Sequence, residues 1–392
     1  MGNVQIESIY VVLKIAETCN LACPYCYFFF HGDDSYKDNP RIIPQDIIES
    51  SARFLAAGAR SLGLKRVDIS FHGGEPLLMK KMAFETMCAT LIEALTPHVR
   101  LNLSVQTNGT LIDEDWIDIF SMYEVGVGVS LDGPKSIHDR NRPLKNVGAG
   151  SYESAVRGIN QLKSAVESGK IRGFAVNSVI SEGCEPDVYF SHMVDDLGIR
   201  DLDVIPPAMD WETLDENLVQ SVHDFYDGLL QCWLERGDPQ VRIGTFGTAM
   251  GSMLSERGFL ERANSLRNSV PTFTIRSDGS LGPDDALSPK TEIFRKAGCS
   301  VSNLDLESFL NHEAWMDIRE IYVAPVEGCR HCKFVRICGG GLGEHRFSSE
   351  VGFRKRSVYC SSHYSVYDKI FEYLGERLNR ATIAQRLEGF EL

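Results

Sequence analysis

The sequence predicts an α/β fold built on a parallel sheet that closes into an open or partial (β/α)6 barrel. Between residues 9 and 236, strand-like apolar runs alternate strictly with helical patterns, an order that builds parallel sheets with helices outside. The alternation ends at Gly237, and a turn-rich, cysteine-rich segment follows. We therefore expect a barrel over 1–236, a Gly- and Pro-rich bridging region over 237–272, and a small module with a closing helix over 273–392.

Each predicted strand is a short apolar run rich in β-branched residues, and each predicted helix repeats apolar residues on one face. After Pro44, for example, Ile48, Ala52, Leu55 and Ala59 recur in helical steps. The predicted strands are residues 9–16, 66–71, 101–106, 125–131, 172–180 and 201–205. The helices between and after them begin near residues 45, 82, 113, 151, 186 and 215. In such folds the chemistry gathers at the C-terminal ends of the strands.

Composition and charge exclude several classes of function. The 392 residues are 43% hydrophobic and 24% charged, as in ordinary globular proteins. With 40 basic and 54 acidic residues the net charge is −14, which disfavours binding to nucleic acid or to an anionic membrane. No apolar run approaches the roughly 18 residues of a membrane span, and no secretory signal opens the sequence. We expect a cytoplasmic protein.

Eleven cysteines in a cytoplasmic chain favour metal binding or catalysis over disulfides. Three of them, Cys19, Cys23 and Cys26, follow the first predicted strand. Three thiolates leave one iron of a cubane cluster without a protein ligand, and such an open position suits a site that binds substrate. The alternative is a zinc site with a distant fourth ligand. The second group, considered alone, fits a structural zinc site; its members are Cys329, Cys332, Cys338 and Cys360.

The first group stands in CNLACPYC, which resembles the signature of the radical SAM (S-adenosylmethionine) superfamily, with Tyr25 immediately before the third cysteine. The resemblance implies a [4Fe–4S] cluster on the three cysteines. It also implies that S-adenosylmethionine chelates the open iron and is cleaved to a 5′-deoxyadenosyl radical, which abstracts a hydrogen atom from the substrate.

Further matches to the superfamily follow later strands. FHGGEPLL resembles its glycine–glycine–glutamate motif, in which Gly73 and Gly74 allow close backbone approach and Glu75 accepts a hydrogen bond from the ammonium group of S-adenosylmethionine. QTNGT, which begins at Gln106, and VSLDGP follow in the family's order. The candidates for holding the ribose and carboxylate are Ser130 and Arg142, for which a surface turn and a solvated arginine are the alternatives.

The second group resembles the SPASM extension, a C-terminal module of radical SAM peptide and protein maturases that usually carries two auxiliary [4Fe–4S] clusters. All four cysteines expected for one of these clusters are missing. Leu342 and Asp284 occupy two of the positions, and residues 261–270 contain no cysteine for the other two. The four ligands of the other auxiliary cluster are all present, so we predict two [4Fe–4S] clusters per chain. Cys299 is expected to be structural.

Asp285 follows the missing ligand at Asp284. In sulfatase maturases the matching aspartate is the base that accepts a proton from the substrate radical, and like-charge repulsion from Asp284 would raise the pKa of Asp285. The alternative is a pair of solvated aspartates in a turn.

Within the SPASM maturases, LKIAETCNLACPYCY and the following residues 33–37 most resemble the enzymes that form three-residue cyclophanes. These join an aromatic ring carbon to a β-carbon in a ribosomally made precursor peptide. The alternatives are a formylglycine-generating sulfatase maturase, a thioether-forming maturase, and a non-catalytic iron–sulfur or zinc protein. The resemblance also implies an electron donor such as flavodoxin or ferredoxin. Since Cys19 leaves no room before it for a peptide-recognition domain, the barrel mouth or the C-terminal module would hold the peptide.

Overall fold

The computed structural model describes residues 6–30, 34–254, 272–287, 298–315 and 326–388. These residues form two compact units. The first unit contains residues 6–131, 138–174 and 272–315, and the second contains residues 132–137, 175–254 and 326–388. The three most N-terminal predicted strands and the first cysteine group lie in the first unit. The second cysteine group lies in the second unit.

Strands and helices alternate along the chain as the sequence predicts. The strands are β1 Ser8–Ala16, β2 Arg66–Gly73, β3 Arg100–Thr107, β4 Gly126–Ser130, β5 Phe174–Val179, β6 Asp201–Ile205, β7 Arg242–Ile243, β8 Thr272–Ile275 and β9 Leu281–Pro283. The helices are α1 Tyr27–Phe30, α2 Gln45–Leu62, α3 Lys81–Leu95, α4 Glu114–Met122, α5 Lys135–Asn141, α6 Tyr152–Glu167, α7 Pro186–Ser191, α8 Glu216–Arg236, α9 Gly244–Leu254, α10 Leu306–Leu310, α11 Val335–Cys338, α12 Cys360–Arg377 and α13 Arg380–Glu388.

The sheet of the first unit has the strand order β4-β3-β2-β1-β8-β9. Every neighbouring pair is parallel except β8 and β9, which form a hairpin. Since β1 lies in the middle, its apolar side chains are buried on both faces, as in other parallel sheets: Val11 and Leu13 on one face and Val12 on the other are at most 6% exposed. This order brings the C-terminal ends of β1, β2 and β3 side by side.

The segment after the bridging region contributes to this same sheet. We predicted that residues 273–392 form a separate module. For the segment that contains Cys329 to Cys360, a separate module remains a prediction. The structure adds that β8 pairs with β1 and β9 pairs with β8, so residues 272–283 extend the sheet of the first unit. Asp285 therefore follows a strand of that sheet directly.

The second unit contains the parallel strands β5, β6 and β7 and most of the cysteine-rich C-terminal segment. Its longest helix, α8, begins after Asp215, whose carboxylate accepts hydrogen bonds from the backbone N–H groups of Asn217 and Leu218. The helix ends at Gly237, which adopts φ +58°. Both ends agree with the sequence prediction.

The bridging region differs from its predicted linker character. Residues 242–254 form β7 and α9, and the remainder of the region after residue 254 lies outside the described residues until 272. Phe246, Ala249 and Met253 recur at helical spacing and are fully buried, so burial of this apolar face stabilises the helix despite its glycines. In the described part of the chain, no helix has the length and apolar content needed to cross a membrane.

Candidate functional site

The first three cysteines lie on the loop that leaves the C-terminal end of β1. The thiol of each is partly exposed. The backbone N–H of Leu21 donates a hydrogen bond to Cys19 Sγ over 3.3 Å, and the amide Nδ2 of Asn108 lies 3.9 Å from the same sulfur. Donors of this kind stabilise the thiolate form that binds iron.

Gly73 and Gly74 hold the end of β2 directly against the beginning of the cysteine loop. Gly74 N donates to Ala16 O over 2.7 Å, and Glu75 N donates to Thr18 O over 2.9 Å. A Cβ on Gly73 would lie 2.1 Å from Ala16 O, and one on Gly74 would lie 2.3 Å from Thr18 O. The glycines are therefore needed for close backbone approach, as predicted, and the backbone they approach is that of the cysteine loop.

A network of amides joins the cysteine loop to the end of β3. Asn108 Nδ2 donates to Asn20 Oδ1 over 2.8 Å, and Asn20 Nδ2 donates to Thr110 Oγ1 over 2.9 Å. Asn108 Oδ1 accepts hydrogen bonds from the backbone N–H and the hydroxyl of Thr110. Asn108 and Thr110 belong to the QTNGT motif, whose Gln106 is a candidate cofactor residue, but only the parallel pairing of β1, β2 and β3 brings Asn108 and Thr110 to Asn20.

Glu75 lies at the centre of this arrangement and is completely buried. Its Oε1 accepts hydrogen bonds from Leu77 N at 2.9 Å and Thr107 Oγ1 at 2.7 Å, and its Oε2 accepts one from Asn108 N at 2.8 Å. Burial raises the pKa of Glu75, although these hydrogen bonds and Arg142 oppose the rise. The carboxylate thus joins the ends of β2 and β3, and one acceptor position on Oε2 remains for a further donor.

The other candidate cofactor residues lie in the same unit. Gln106 Nε2 donates to Ser130 Oγ over 3.0 Å, which joins the ends of β3 and β4. The guanidinium of Arg142 lies 5.5 Å from the centre of the Tyr25 ring, within cation–π range. Arg142 therefore lies beside the cysteine loop and Gln106 contacts Ser130, and the contacts of all these residues with a cofactor remain predictions.

The three thiols fit a [4Fe–4S] cluster that has one open iron. The pKa of Cys19 is raised to about 12, mainly by burial, and the neighbouring Cys23 and Cys26 add like-charge repulsion. A cubane takes one thiolate per iron, so three thiolates on one loop would leave one iron without a protein ligand. Among the described residues, no three His, Cys, Asp or Glu side chains are grouped as ligands of a single metal ion.

Asp285 lies beyond β9 in a buried group of polar side chains. Its Oδ2 is 2.9 Å from Lys14 Nζ and accepts a 2.7 Å hydrogen bond from the hydroxyl of Tyr27, which directly follows Cys26 in the sequence. Lys14 and Asp285 are 2% and 8% exposed. The alternative of a solvated turn aspartate therefore does not apply to Asp285.

The predicted effect of Asp284 on Asp285 is wrong. We expected like-charge repulsion to raise the pKa of Asp285. Burial alone would raise it, but Lys14, His72 and the Tyr27 hydroxyl outweigh burial and hold this pKa below the usual range. Asp284 instead accepts a hydrogen bond from the backbone N–H of Ala286. Asp285 is therefore ionised at neutral pH.

The second cysteine group forms a compact loop structure in the second unit. Three glycines after Cys338 all have positive φ, between +61° and +91°, and turn the chain so that Gly340 O accepts a hydrogen bond from Ser357 N. The pKa of Cys338 is raised to about 12 by burial first and then by Cys360 and Cys329. This electrostatic coupling shows that the cysteines lie near one another.

Two of the positions at which cluster ligands are missing lie in the described residues. Leu342 is 41% exposed in the second unit, and Asp284 is half-buried in the first. The third stretch, residues 261–270, lies outside the described residues. Cys299 is buried, in agreement with a structural role.

Comparison with known proteins identifies the first unit. Residues 13–180, which contain the three cysteines, Glu75 and Arg142, match the family model of the radical SAM superfamily. This segment of the chain is therefore a radical SAM segment. The match confirms the predicted S-adenosylmethionine and [4Fe–4S] cofactors.

The relatives of this chain include anaerobic sulfatase-maturating enzymes. It is 27% identical over 376 residues, 92% of this chain and 94% of the relative, to a cysteine-type anaerobic sulfatase-maturating enzyme of Clostridium perfringens. It is 35% identical over 158 residues, 40% of this chain and 37% of the relative, to a serine-type anaerobic sulfatase-maturating enzyme of Bacteroides thetaiotaomicron.

A solved structure described as native anSMEcpe with bound AdoMet and Cp18Cys peptide confirms the predicted fold class. It has a TM-score of 0.76, is 22% identical, and is covered over 97% of this chain and 100% of its own. None of these relatives is a cyclophane-forming enzyme, so the narrower predicted subgroup gains no support from them.

Proposed function

We propose that this chain oxidises a side chain of a peptide or protein substrate, with chemistry like that of the anaerobic sulfatase maturases. The support is similarity over nearly the whole length of one such enzyme and, in a related fold, a structure described with a bound peptide. The observation that carries the proposal is the hydrogen bond from Tyr27 to Asp285, because it joins a buried carboxylate to the residue that follows Cys26.

Cys19, Cys23 and Cys26 would hold the cluster that binds S-adenosylmethionine. When bound there, S-adenosylmethionine supplies a 5′-deoxyadenosyl radical that removes a hydrogen atom from the substrate. The protein's part is to fix the loop through Gly73, Gly74 and the amides of Asn20 and Asn108, and to exclude water around it. Contacts with S-adenosylmethionine are proposed for Tyr25, Gly73, Gly74, Glu75, Gln106, Ser130 and Arg142.

Asp285 is proposed as the base. A side chain that has lost a hydrogen atom becomes a stable oxidised or crosslinked product only when one proton and one electron also leave. The ionised carboxylate of Asp285 accepts the proton. A group that is already ionised at neutral pH needs no prior deprotonation, which suits this role.

Cys329, Cys332, Cys338 and Cys360 would hold the single auxiliary cluster, giving two [4Fe–4S] clusters per chain. A cluster held by these four cysteines would supply an acceptor for the second electron. The electron that begins each turnover would come from a low-potential donor such as flavodoxin or ferredoxin. A non-catalytic iron–sulfur or zinc protein would not need the close packing of Gly73 and Gly74 on an open three-cysteine loop.

Formylglycine-type oxidation is the product that the relatives favour. Crosslink formation, as a cyclophane or a thioether, is the second candidate, and one observation favours it. Leu342 and Asp284 replace two ligands of the additional auxiliary cluster that sulfatase maturases normally carry. The proposed two clusters per chain would be one fewer than the resemblance to sulfatase maturases implies, and a different product would accompany that difference.

The test is anaerobic incubation of the reconstituted protein with S-adenosylmethionine, a strong reductant and the Cp18Cys peptide. We expect release of 5′-deoxyadenosine together with oxidation of the peptide, read by mass spectrometry. A peptide that carries an aromatic residue two positions before a residue with a β-hydrogen tests the crosslink, which removes two hydrogens and joins the two side chains. Absence of 5′-deoxyadenosine with either peptide and without peptide would contradict the proposal.

A further inference from the structure

Lys14 is a buried lysine to which neither the sequence analysis nor the superfamily assigns a role. It lies near the end of β1, where its register partner on β2 is His72. The side chain is 2% exposed. Its ammonium lies 3.6 Å from the centre of the Phe28 ring and 5.7 Å from that of Tyr27, in addition to its ion pair with Asp285.

The two carboxylate oxygens of Asp285 have different hydrogen-bond partners. Lys14 and the Tyr27 hydroxyl both contact Oδ2, at 2.9 and 2.7 Å. Within the described part of the chain, no hydrogen bond or ion pair reaches Oδ1. A carboxylate oxygen with two donors has little remaining capacity as a proton acceptor, so Oδ1 is the oxygen available to a substrate.

We propose that Lys14 is a positioning residue for the base: together with Tyr27 it holds Oδ2 of Asp285, keeps the carboxyl ionised, and directs Oδ1 towards the substrate. This inference rests on the proposed role of Asp285. It also accounts for Lys14 itself, because a buried ammonium is stable only with a counterion and favourable contacts such as an aromatic ring face.

The groups around the pair define its pH dependence. His72 on β2 faces Asp285, and burial lowers its pKa, so it is neutral at neutral pH. Glu17, directly after β1, interacts with Lys14, and burial raises the pKa of Glu17 although Lys14 and Arg276 oppose this. Lys14 is therefore the cation that faces Asp285 at neutral pH, whereas His72 adds positive charge only at lower pH. Without Lys14, burial is the largest influence on that carboxyl at neutral pH.

The pKa of Asp285 determines how its contribution to stability depends on pH. In the wild type the pKa of Asp285 is lowered, so its contribution to stability is present above the unfolded value of about 3.9 and is lost as pH falls through the folded value. In Lys14→Met, we expect burial to raise the pKa of Asp285 above its value in the unfolded chain. Stability is then lost as pH rises through that raised value, and the carboxylate needed as base forms only at higher pH.

The experiment compares wild type, Lys14→Met, Lys14→Arg and Lys65→Met as reconstituted holoenzymes. Lys65 is an exposed lysine paired with Glu7, so its variant is a matched control outside the site. Product per 5′-deoxyadenosine with the Cp18Cys peptide, and the melting temperature, are measured from about pH 5 to about pH 9.

We expect Lys14→Met to lower product per 5′-deoxyadenosine about tenfold or more at neutral pH and to move the acid limb of the pH profile upward. The melting temperature of Lys14→Met should fall by about 2–4 °C more between pH 5 and pH 8 than the melting temperature of the wild type does. Lys14→Arg keeps the charge and should restore most of the product ratio and the original pH profile. Lys65→Met should match the wild type.

If Lys14→Met has an unchanged pH profile and product ratio, Lys14 is not a positioning residue. If Asp285→Asn then forms no product, the assignment of Asp285 as the base still holds. An active Asp285→Asn would overturn the base assignment and this inference with it. Should Lys14→Met not fold, the double variant Lys14→Met/Asp285→Asn leaves neither charge unpaired, so its recovery as folded protein supports the pairing. Failure of the double variant as well would contradict it.

Discussion

The substitution Gly74→Ala tests whether the end of β2 holds the cysteine loop in place. The added Cβ would lie 2.3 Å from the carbonyl oxygen and 2.5 Å from the carbonyl carbon of Thr18, and both are backbone atoms that cannot rotate away. Relief of this clash separates the two segments and breaks the hydrogen bonds to Ala16 and Thr18. Two hydrogen bonds at about 1 kcal/mol each, with about 1–3 kcal/mol for overpacking, give a loss of about 3–5 kcal/mol.

A loss of this size is a large part of the stability of a typical domain, and it falls on the loop that carries Cys19. We expect anaerobically reconstituted Gly74→Ala to hold about 4 irons per chain in place of about 8, because the cluster on the C-terminal cysteines is untouched. Gly173→Ala is the matched control, since its Cβ would meet no atom within 4 Å. Equal iron content and equal unfolding free energy in the two variants would refute the argument.

Three further changes address the same site. Changing Cys19, Cys23 and Cys26 together to Ala should abolish 5′-deoxyadenosine release and leave about 4 irons; complete loss of iron would contradict a separate auxiliary cluster. Asn108→Ala removes the amide donor to Asn20 and to the Cys19 sulfur, so iron at the first site should be lost faster to a chelator, and an unchanged rate would show that the network is dispensable. Glu75→Gln places an N–H₂ group against a hydrogen-bond donor and should lower the unfolding free energy by about 2–4 kcal/mol in urea titrations, whereas an unchanged value would show that the carboxylate is not needed there.

Local patterns predicted much of the fold. The strand predicted over residues 201–205 is β6 without a change of boundary, and the helix predicted from Asp215 ends at Gly237 as expected. These features depend on neighbours in the sequence: β-branched runs, a capping carboxylate, and a glycine with positive φ. The bridging region was predicted incorrectly because its glycines were weighed more heavily than the buried stripe of Phe246, Ala249 and Met253.

Part of the candidate site could likewise be predicted from the sequence. The cysteine group and the motif around Glu75 could be predicted because their residues lie close together along the chain. The amides of Asn20 and Asn108 could not, since each gains its role only where the loops after two different strands meet. The pKa of Asp285 was predicted in the wrong direction because the sequence shows the neighbour Asp284 but not the distant Lys14.

The sequence by itself determined the chemistry that this protein can carry: which thiols are grouped, which strands alternate with helices, and which set of cluster ligands is complete. Only the tertiary structure decided how the polar groups act on one another. Tyr27 and Asp285 are 258 positions apart, yet they share a hydrogen bond because β8 and β9 join the sheet beside β1. Electrostatic interactions depend on distance through space and on burial, and neither quantity can be obtained from positions along the chain.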